Sequence, residues 1–297
     1  MTKEKIKAVR MLAICCVLTF LCPELHAQFK TKEAPIMTKW AKDVHLEKPH
    51  PEYPRPQMTR NEWMNLNGVW EFQRSADLNE KPPFGKKLTE NILVPFPVES
   101  ALSGIMEQLD KFWYRRTFEI PSKWKGKKIL IHFGAVDYEA EVFINEKKIG
   151  LHKGGYLPFS FDITDAVTNG KNELIVRVYD PTDKGGQPRG KQDSIQKGIM
   201  YTPTSGIWQT VWLEPVSETH IEDIKIVPDI DKKEVEVTVL SNTKNAKVLV
   251  ELKSGKFQGK TNSPIKIKIP NPKFWSPQNP YLYDINVSIL GNDGKPT

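Results

Sequence analysis

The residues of this sequence best suited to holding a polar ligand lie in a short glycine-hinged stretch, His152-Lys153-Gly154-Gly155-Tyr156. The side chains of His152 and Tyr156 each combine an aromatic face with a group that can form hydrogen bonds. Gly154 and Gly155 free the backbone between them for conformations that other residues resist. A polar loop of this kind on a rigid scaffold indicates a binding surface.

The residues before this loop predict the hairpin that positions it. From residue 138 to 144 apolar and polar side chains alternate, interrupted only by Phe143 on the polar face, which is the pattern of a half-buried strand. Residues 145–148 then predict a turn, and residues 149–152 a returning strand. We therefore expect the glycine-hinged loop to follow the end of a β-hairpin.

The N-terminus has the parts of a secretory signal peptide: a basic start, an apolar run over residues 11–22 and a small residue, Ala27, before the expected cleavage site. The apolar run is shorter than the ~20 residues of a membrane span, so no stable membrane anchor is expected. All three cysteines, Cys15, Cys16 and Cys22, fall inside this segment. The sequence thus predicts a periplasmic or secreted protein without cysteines after cleavage.

Composition argues against two further classes of function. The histidines show no metal-ligand spacing and the mature chain has no thiol ligand, so neither a metal nor another cofactor is expected. The formal net charge of +7 includes four cations of the signal segment. The densest remaining lysine run, residues 123–128, lies between predicted strands, where lysines are usually solvated. Binding to nucleic acid is therefore not expected.

Four ordered motifs carry a family resemblance. They are LNGVW at residues 66–70, WYRRTF at 113–118, the stretch 136–164 with VDYEAEVFIN, HKGGYLPF and FDIT, and SGIWQTVWLE at 205–214. In this order they resemble the N-terminal part of glycoside hydrolase family 2, which includes β-galactosidases, β-glucuronidases and β-mannosidases. The resemblance covers about residues 56–297.

The resemblance and the composition together predict an all-β chain. Its 23 prolines and 18 glycines suit short strands and turns, and no helical periodicity is evident after the N-terminus. We expect a signal peptide over 1–27, an extended lead-in over 28–55, a jelly-roll (galactose-binding-like) sandwich over 56–216, and an incomplete, truncated immunoglobulin-like sandwich over 217–297. Residues 207–216 predict one closing strand with Trp208 and Trp212 on the same face. The last region shows five strands where such a domain needs about seven.

The catalytic groups of the family are expected to be missing. A retaining glycosidase needs two carboxyl groups ~5–5.5 Å apart, and the resemblance implies that both come from a (β/α) barrel, of which this sequence shows no sign. The family's acid/base glutamate follows an asparagine. The four Asn-Glu pairs here are interpreted as turn or linker residues: Asn61-Glu62, Asn79-Glu80, Asn145-Glu146 and Asn172-Glu173.

The same resemblance implies contacts with carbohydrate. Their candidates lie in the glycine-hinged loop and in the polar loop 181–204: His152, Gly154, Gly155, Tyr156, Gln187 and Arg189. In β-galactosidase-like members an aspartate stands in the first of these loops, and the Gly-Gly-Tyr form is closer to glucuronidase-like members. For each candidate, a structural role in docking to the barrel is an equally good interpretation.

The resulting hypothesis is a non-catalytic N-terminal region of an exported family 2 glycosidase, whose partners are a β-glycoside and a barrel domain missing from this sequence. The alternative is a free-standing carbohydrate-binding module without enzymatic activity. A third interpretation, a structural sandwich of the adhesin type, has only fold analogy in its favour.

Overall fold

A computed structural model describes residues 29–291 and 293–296. The predicted signal peptide lies outside the described residues. The described chain is all-β, as predicted, with no α-helix and three short 3₁₀ helices, Lys39–Asp43, Ala101–Ser103 and Ser122–Trp124. None of its helices has the length and apolarity to cross a membrane.

The first sandwich packs a four-stranded sheet against a six-stranded sheet, with all neighbouring strands antiparallel. In spatial order the four-stranded sheet contains β1 (Met64–Asn65), β12 (Val211–Val216), β5 (Lys128–Phe133) and β9 (Phe159–Asp162). The six-stranded sheet contains β3 (Glu90–Val94), β2 (Gly68–Arg74), β4 (Lys111–Glu119), β10 (Lys171–Tyr179), β7 (Glu139–Ile144) and β8 (Lys147–Lys153). A separate pair joins β6 (Val136–Asp137) to β11 (Gly206–Ile207).

Both sheets contribute their inward faces to one large core. Trp70 and Phe72 are buried in it at alternate positions of β2, as expected for core aromatic residues. Phe143, which interrupts the polar face of β7, belongs to a second, smaller cluster on the outer side with Trp113 and Ile175. The predicted hairpin turn is confirmed, but it has two residues instead of the expected four. Asn145 and Glu146 have positive φ, and β8 begins directly after them at Lys147.

The closing strand of this sandwich differs from the prediction. Residues 207–216 do not form one strand, because β11 ends at Ile207 and β12 begins at Val211. Trp208 lies in the break and donates its indole N–H to the carbonyl of Gly155 at 2.8 Å. Trp212 is buried in β12 and stacks on His132, with ring centroids 4.8 Å apart. The two tryptophans therefore serve different parts of the molecule.

The second sandwich has two three-stranded sheets around its own core. One contains β13 (Ile221–Asp229), β14 (Glu234–Ser241) and β17 (Pro264–Lys268), and the other β16 (Gly255–Lys260), β15 (Lys247–Leu252) and β18 (Asn286–Leu290). The prediction of five strands was wrong because it missed β16. That strand has one large apolar residue, Phe257, and its Gly259 leaves room for Ile265, since an added Cβ would lie 2.5 Å from the isoleucine side chain.

A buried carboxylate, Glu214, connects the lead-in with both sandwiches. The side chain of Glu214 is 0 % exposed and lies beside the guanidinium groups of Arg55 and Arg60. The hydroxyl of Tyr53 donates to the same carboxylate. Arg60 also donates to the carbonyl of Ile221 at the start of β13. The lead-in is thus fixed to the junction of the two sandwiches by charge-assisted hydrogen bonds.

Candidate carbohydrate-binding site

The glycine-hinged loop and the long polar loop lie side by side. Tyr156, in the loop between β8 and β9, is 48 % exposed. Its hydroxyl lies 3.4 Å from the side-chain amide of Gln192, which belongs to the loop between β10 and β11. The ring of Tyr156 is therefore accessible on the surface while its hydroxyl is held by the neighbouring loop.

Asp137, at the end of β6, binds the same side-chain amide of Gln192 that contacts the hydroxyl of Tyr156. Asp137 is only 3 % exposed, and its carboxylate accepts a hydrogen bond from the amide of Gln192 at 3.1 Å. Gln192 in turn accepts from the backbone N–H of Thr204 at 2.5 Å. Burial raises the pKa of Asp137 to about 6, the hydrogen bond from Gln192 opposes this, and the charge of Asp180 adds to it.

The two glycines are required for this arrangement. Gly154 has a φ of +138°, and its N–H donates to the carbonyl of Tyr138 at 2.9 Å. A Cβ on Gly155 would lie 2.3 Å from the carboxylate of Asp137, so only glycine permits the close approach. The loop backbone is further held by the indole of Trp208, which donates to the Gly155 carbonyl.

His152 is oriented towards the sheet rather than towards the loop surface. Its ring stacks on Phe159 with centroids 4.0 Å apart, and its Nε2 lies 3.1 Å from the carbonyl of Gly154. Burial lowers the pKa of His152, although the Gly154 carbonyl opposes this. His152 therefore stabilises the glycine-hinged loop, and a direct ligand contact by this residue stays a prediction.

Gln187 and Arg189 make contacts inside the long loop. The amide of Gln187 donates to the carbonyl of Thr182 at 2.9 Å. The guanidinium of Arg189 lies 3.3 Å from the carboxylate of Asp193 and 3.7 Å from that of Asp183. Arg189 keeps part of its surface exposed, so it can bind a ligand only in competition with these two carboxylates.

Two further carboxyl groups, of the buried Asp180 and the partly buried Glu99, contact the beginning and the end of the long loop. Asp180 is 2 % exposed and accepts a hydrogen bond from the hydroxyl of Ser205 at 2.7 Å. The N–H of Ser205 donates to Glu99 at 2.9 Å, and the other carboxyl oxygen of Glu99 is buried without a hydrogen-bond partner. Burial raises the pKa of Glu99 to about 7 and also raises the pKa of Asp180, with the hydrogen bonds from Ser205 opposing both shifts.

Three residues of this site escaped sequence reasoning. Asp137 is part of the motif that carried the family resemblance, and its signal was an acidic residue immediately after the apolar pair Ala135-Val136 and before the alternating strand. Trp208 was predicted to lie in one closing strand on the same face as Trp212, and no contact with the glycine-hinged loop was expected of it. Gln192 gave no local signal, because a glutamine in a polar loop is normally solvated.

The surface around the site is rich in exposed apolar groups. They lie on the same two loops: Tyr156, Leu157, Ile195, Ile199 and Tyr201. An aromatic ring with neighbouring amide and carboxylate groups can stack on the C–H face of a sugar and hydrogen-bond to its hydroxyls. Exposed aliphatic residues of this number also indicate contact with another protein surface.

The Asn-Glu pairs do not form a paired-carboxylate centre. Asn61-Glu62, Asn79-Glu80 and Asn145-Glu146 lie outside strands or in turns, as interpreted. The fourth interpretation was wrong, because Asn172 and Glu173 lie in β10, where their backbone pairs with β4. Glu173 pairs with Arg115 at 2.5 Å, a structural ion pair between adjacent strands. In the described ranges no group of three or more acidic, histidine or cysteine side chains is placed to hold a metal ion.

Comparison with known proteins defines the class of molecule to which these two sandwiches belong. The sugar-binding domain model of glycosyl hydrolases family 2 matches residues 68–213, and a second model of the same family matches residues 219–297. The chain therefore belongs to glycoside hydrolase family 2, as the motifs predicted.

Individual relatives place it in the N-terminal part of such proteins. The chain is 34% identical over 202 residues to a β-galactosidase of Thermoanaerobacter pseudethanolicus, covering 61% of this chain and 26% of the relative. It is 31% identical over 194 residues to a putative β-glucuronidase of Formosa agariphila, covering 60% of this chain and 23% of the relative. The chain thus spans about a quarter of the length of these curated relatives.

Solved structures show the same fold. A β-glucuronidase of Lactobacillus rhamnosus superposes with a TM-score of 0.63 at 27% identity, over 82% of this chain and 44% of that one. A β-glucuronidase of Ruminococcus gnavus in complex with D-glucuronic acid gives a TM-score of 0.64 at 22% identity, over 82% of this chain and 45% of that one.

Proposed function

We propose that this chain is the non-catalytic, carbohydrate-contacting region of an exported glycosidase that hydrolyses β-glycosides with retention. The match of both sandwiches to one glycosidase family carries the proposal. The relatives named above are β-galactosidases and β-glucuronidases. Catalysis itself would require two carboxyl groups flanking one bond.

The role of the candidate site in this proposal is to contact the sugar beside the reacting bond. Tyr156 supplies an exposed ring, and Gln192 and Asp137 keep its hydroxyl oriented. Arg189 can meet a hydroxyl or carboxylate group of the substrate. The choice between a neutral and an acidic sugar would then depend on how easily Arg189 leaves Asp183 and Asp193.

The exposed apolar residues of the two loops support docking to a barrel domain. Leu157, Ile195 and Ile199 each leave most of their surface in solvent and belong to the two loops that form the site. Their burial against another domain would place that domain next to Tyr156. Export to the periplasm or the medium is supported by the N-terminal sequence alone.

The first test measures sugar binding by the purified chain. Methyl β-D-galactoside and methyl β-D-glucuronide would be titrated in saturation-transfer NMR, with wild type, Tyr156→Ala and Trp40→Ala as samples. Loss of a stacking face should weaken binding by about ten-fold in Tyr156→Ala. Trp40 is exposed in the lead-in and serves as the control that leaves affinity unchanged. Equal binding by all three proteins would place the sugar elsewhere.

A second test separates the glycosidase region from the free-standing module. The purified chain would be incubated with aryl β-galactoside, β-glucuronide, β-mannoside and β-glucoside substrates. We expect no turnover, because positioning groups cannot replace an acid and a nucleophile. Turnover abolished by changing a carboxylate of this chain would contradict the proposal. Tight binding of an intact glycan without turnover would instead favour the module.

A further inference from the structure

Three carboxyl groups hold the long loop, residues 180–205, against the first sandwich: Asp137 and Asp180 are buried, and Glu99 is partly buried. Asp180 stands at its start, Glu99 receives the N–H of Ser205 at its end, and Asp137 receives the amide of Gln192 in its middle. The three carboxyl groups come from separate chain segments: Glu99 and Asp137 lie outside the loop, and Asp180 is its first residue. The position of the loop therefore depends on all three carboxyl groups.

No cationic side chain among the described residues balances this cluster. Within residues 29–291 and 293–296, Glu99, Asp137 and Asp180 form no ion pair with a lysine, arginine or histidine, whereas other acidic side chains of the same loop do. Desolvated carboxylates without a counter-ion are costly, and several of them close together repel one another. A closed loop with three ionised carboxylates is thus electrostatically unfavourable.

The groups facing the cluster from other elements do not remove this cost. Tyr114 of β4 is fully buried near Glu99, and its hydroxyl accepts from the N–H of Ile207 at 3.2 Å. Asp110, before β4, adds a further negative charge near Asp180. Lys184 compensates only Asp110, at 3.5 Å and largely exposed. In the described part of the chain, the hydrogen-bond partners of the three carboxyl groups are neutral donors.

We propose that residues 180–205 form a proton-dependent loop, which is held closed on the sandwich while the carboxyl groups of Glu99, Asp137 and Asp180 retain protons and opens when they ionise. Opening hydrates the carboxylates and separates their charges. The proposal rests on this cluster alone and holds whether or not the chain contacts sugar.

The size of the effect follows from proton linkage. Opening returns the pKa of Glu99 from about 7 to its ordinary value of 4.5, so between pH 5 and pH 8 the opening equilibrium rises by up to about 70-fold. The same change for Asp137, from about 6 to 3.8, adds up to about 10-fold. The sign is set by the raised pKa values: the closed loop is favoured at lower pH and lost as pH rises.

The test is hydrogen exchange of the full chain at pH 5 and pH 8, corrected for the intrinsic rates. Reporters are the amides of Thr182, Thr204 and Ser205, with the strand β10 as internal reference. We expect protection of the three loop amides to fall at least ten-fold at pH 8 while β10 is unchanged. Protection that is equal at both pH values would overturn the proposal.

A second experiment replaces individual carboxyl groups of the cluster by neutral amides of the same shape. Glu99→Gln and Asp137→Asn each remove one ionisable proton, so each should reduce the pH dependence of loop protection. Glu146→Gln, in the exposed hairpin turn after β7, is the matched control and should behave as wild type. Variants with undiminished pH dependence would assign the effect to other groups. If an isostere fails to fold, the wild-type profile alone still decides the proposal.

Discussion

Replacing Glu214 by glutamine should destabilise the protein strongly at neutral pH. Burial raises the pKa of Glu214, but His132, Arg55 and Arg60 outweigh this and hold it at about 2, well below its ordinary value of 4.5. His132 Nε2 lies 3.0 Å from the carboxylate, in a direction unsuited to a hydrogen bond, so we attribute most of the stabilisation to the two arginines. A shift of this size corresponds to ~3 kcal/mol.

The pH dependence has a definite sign. Because the pKa is lower in the folded than in the unfolded state, the stabilisation is complete above about pH 4.5 and is lost as pH falls towards 2. Glu214→Gln cannot ionise, so it leaves Arg55 and Arg60 without their buried counter-charge at every pH. Wild type and variant should therefore differ by ~3 kcal/mol at pH 7 and converge near pH 2.

Urea unfolding at pH 7, 4 and 2.5, followed by tryptophan fluorescence, measures this difference. Glu107→Gln is the matched control, since the exposed carboxylate of Glu107 pairs with the exposed Arg74 at 2.8 Å, and its urea midpoint should stay unchanged. An equal shift for both variants, or a Glu214→Gln effect that persists undiminished at pH 2.5, would refute the electrostatic argument. The lead-in should also lose hydrogen-exchange protection in Glu214→Gln, because Tyr53 and Arg55 bind that carboxylate.

Two further changes test the packing around the glycines. Gly155→Ala places a methyl group against Asp137, so we expect a loss of stability of about 1–3 kcal/mol and altered Trp208 fluorescence, measured on the purified chain. Gly259→Val should destabilise the second sandwich by a similar ~1–3 kcal/mol through the clash with Ile265, seen as faster exchange in β15 and β16 than in β10. Unchanged stability of Gly155→Ala, or unchanged protection in Gly259→Val, would show that the neighbouring side chain moves aside without cost.

The strands were predictable where burial and alternation coincide. β2 carries one apolar face and β7 does so except at Phe143, and the turn at Asn145 follows from the preference of asparagine for positive φ. β16 was not predicted, because only Phe257 on its inward face is a large apolar residue. At Gly259 the side chain of Ile265 occupies the space that a larger residue would fill. A search for alternating apolar residues does not detect a buried glycine, because glycine has no side chain to count as apolar.

The candidate site was predictable only in outline. Gly154, Gly155 and Tyr156 are local features of one loop, and the sequence shows them directly. The contacts that fix them come from Gln192 and Asp137, which approach Tyr156 and Gly155 from other segments. Such pairings depend on sheet register over long sequence separations, and no local pattern encodes them.

The two buried carboxylate centres have opposite electrostatics. Glu214 is surrounded by arginines, which keep it ionised and fix the lead-in and both sandwiches as one frame. Asp137 and Asp180 have no arginine or lysine partner among the residues that the structure describes, and they contact the loops that carry Tyr156 and Arg189. The cost of unpaired buried carboxyl groups beneath the loops must be offset by the stability of the surrounding structure. The expected consequence is that acid weakens the frame while base loosens the site.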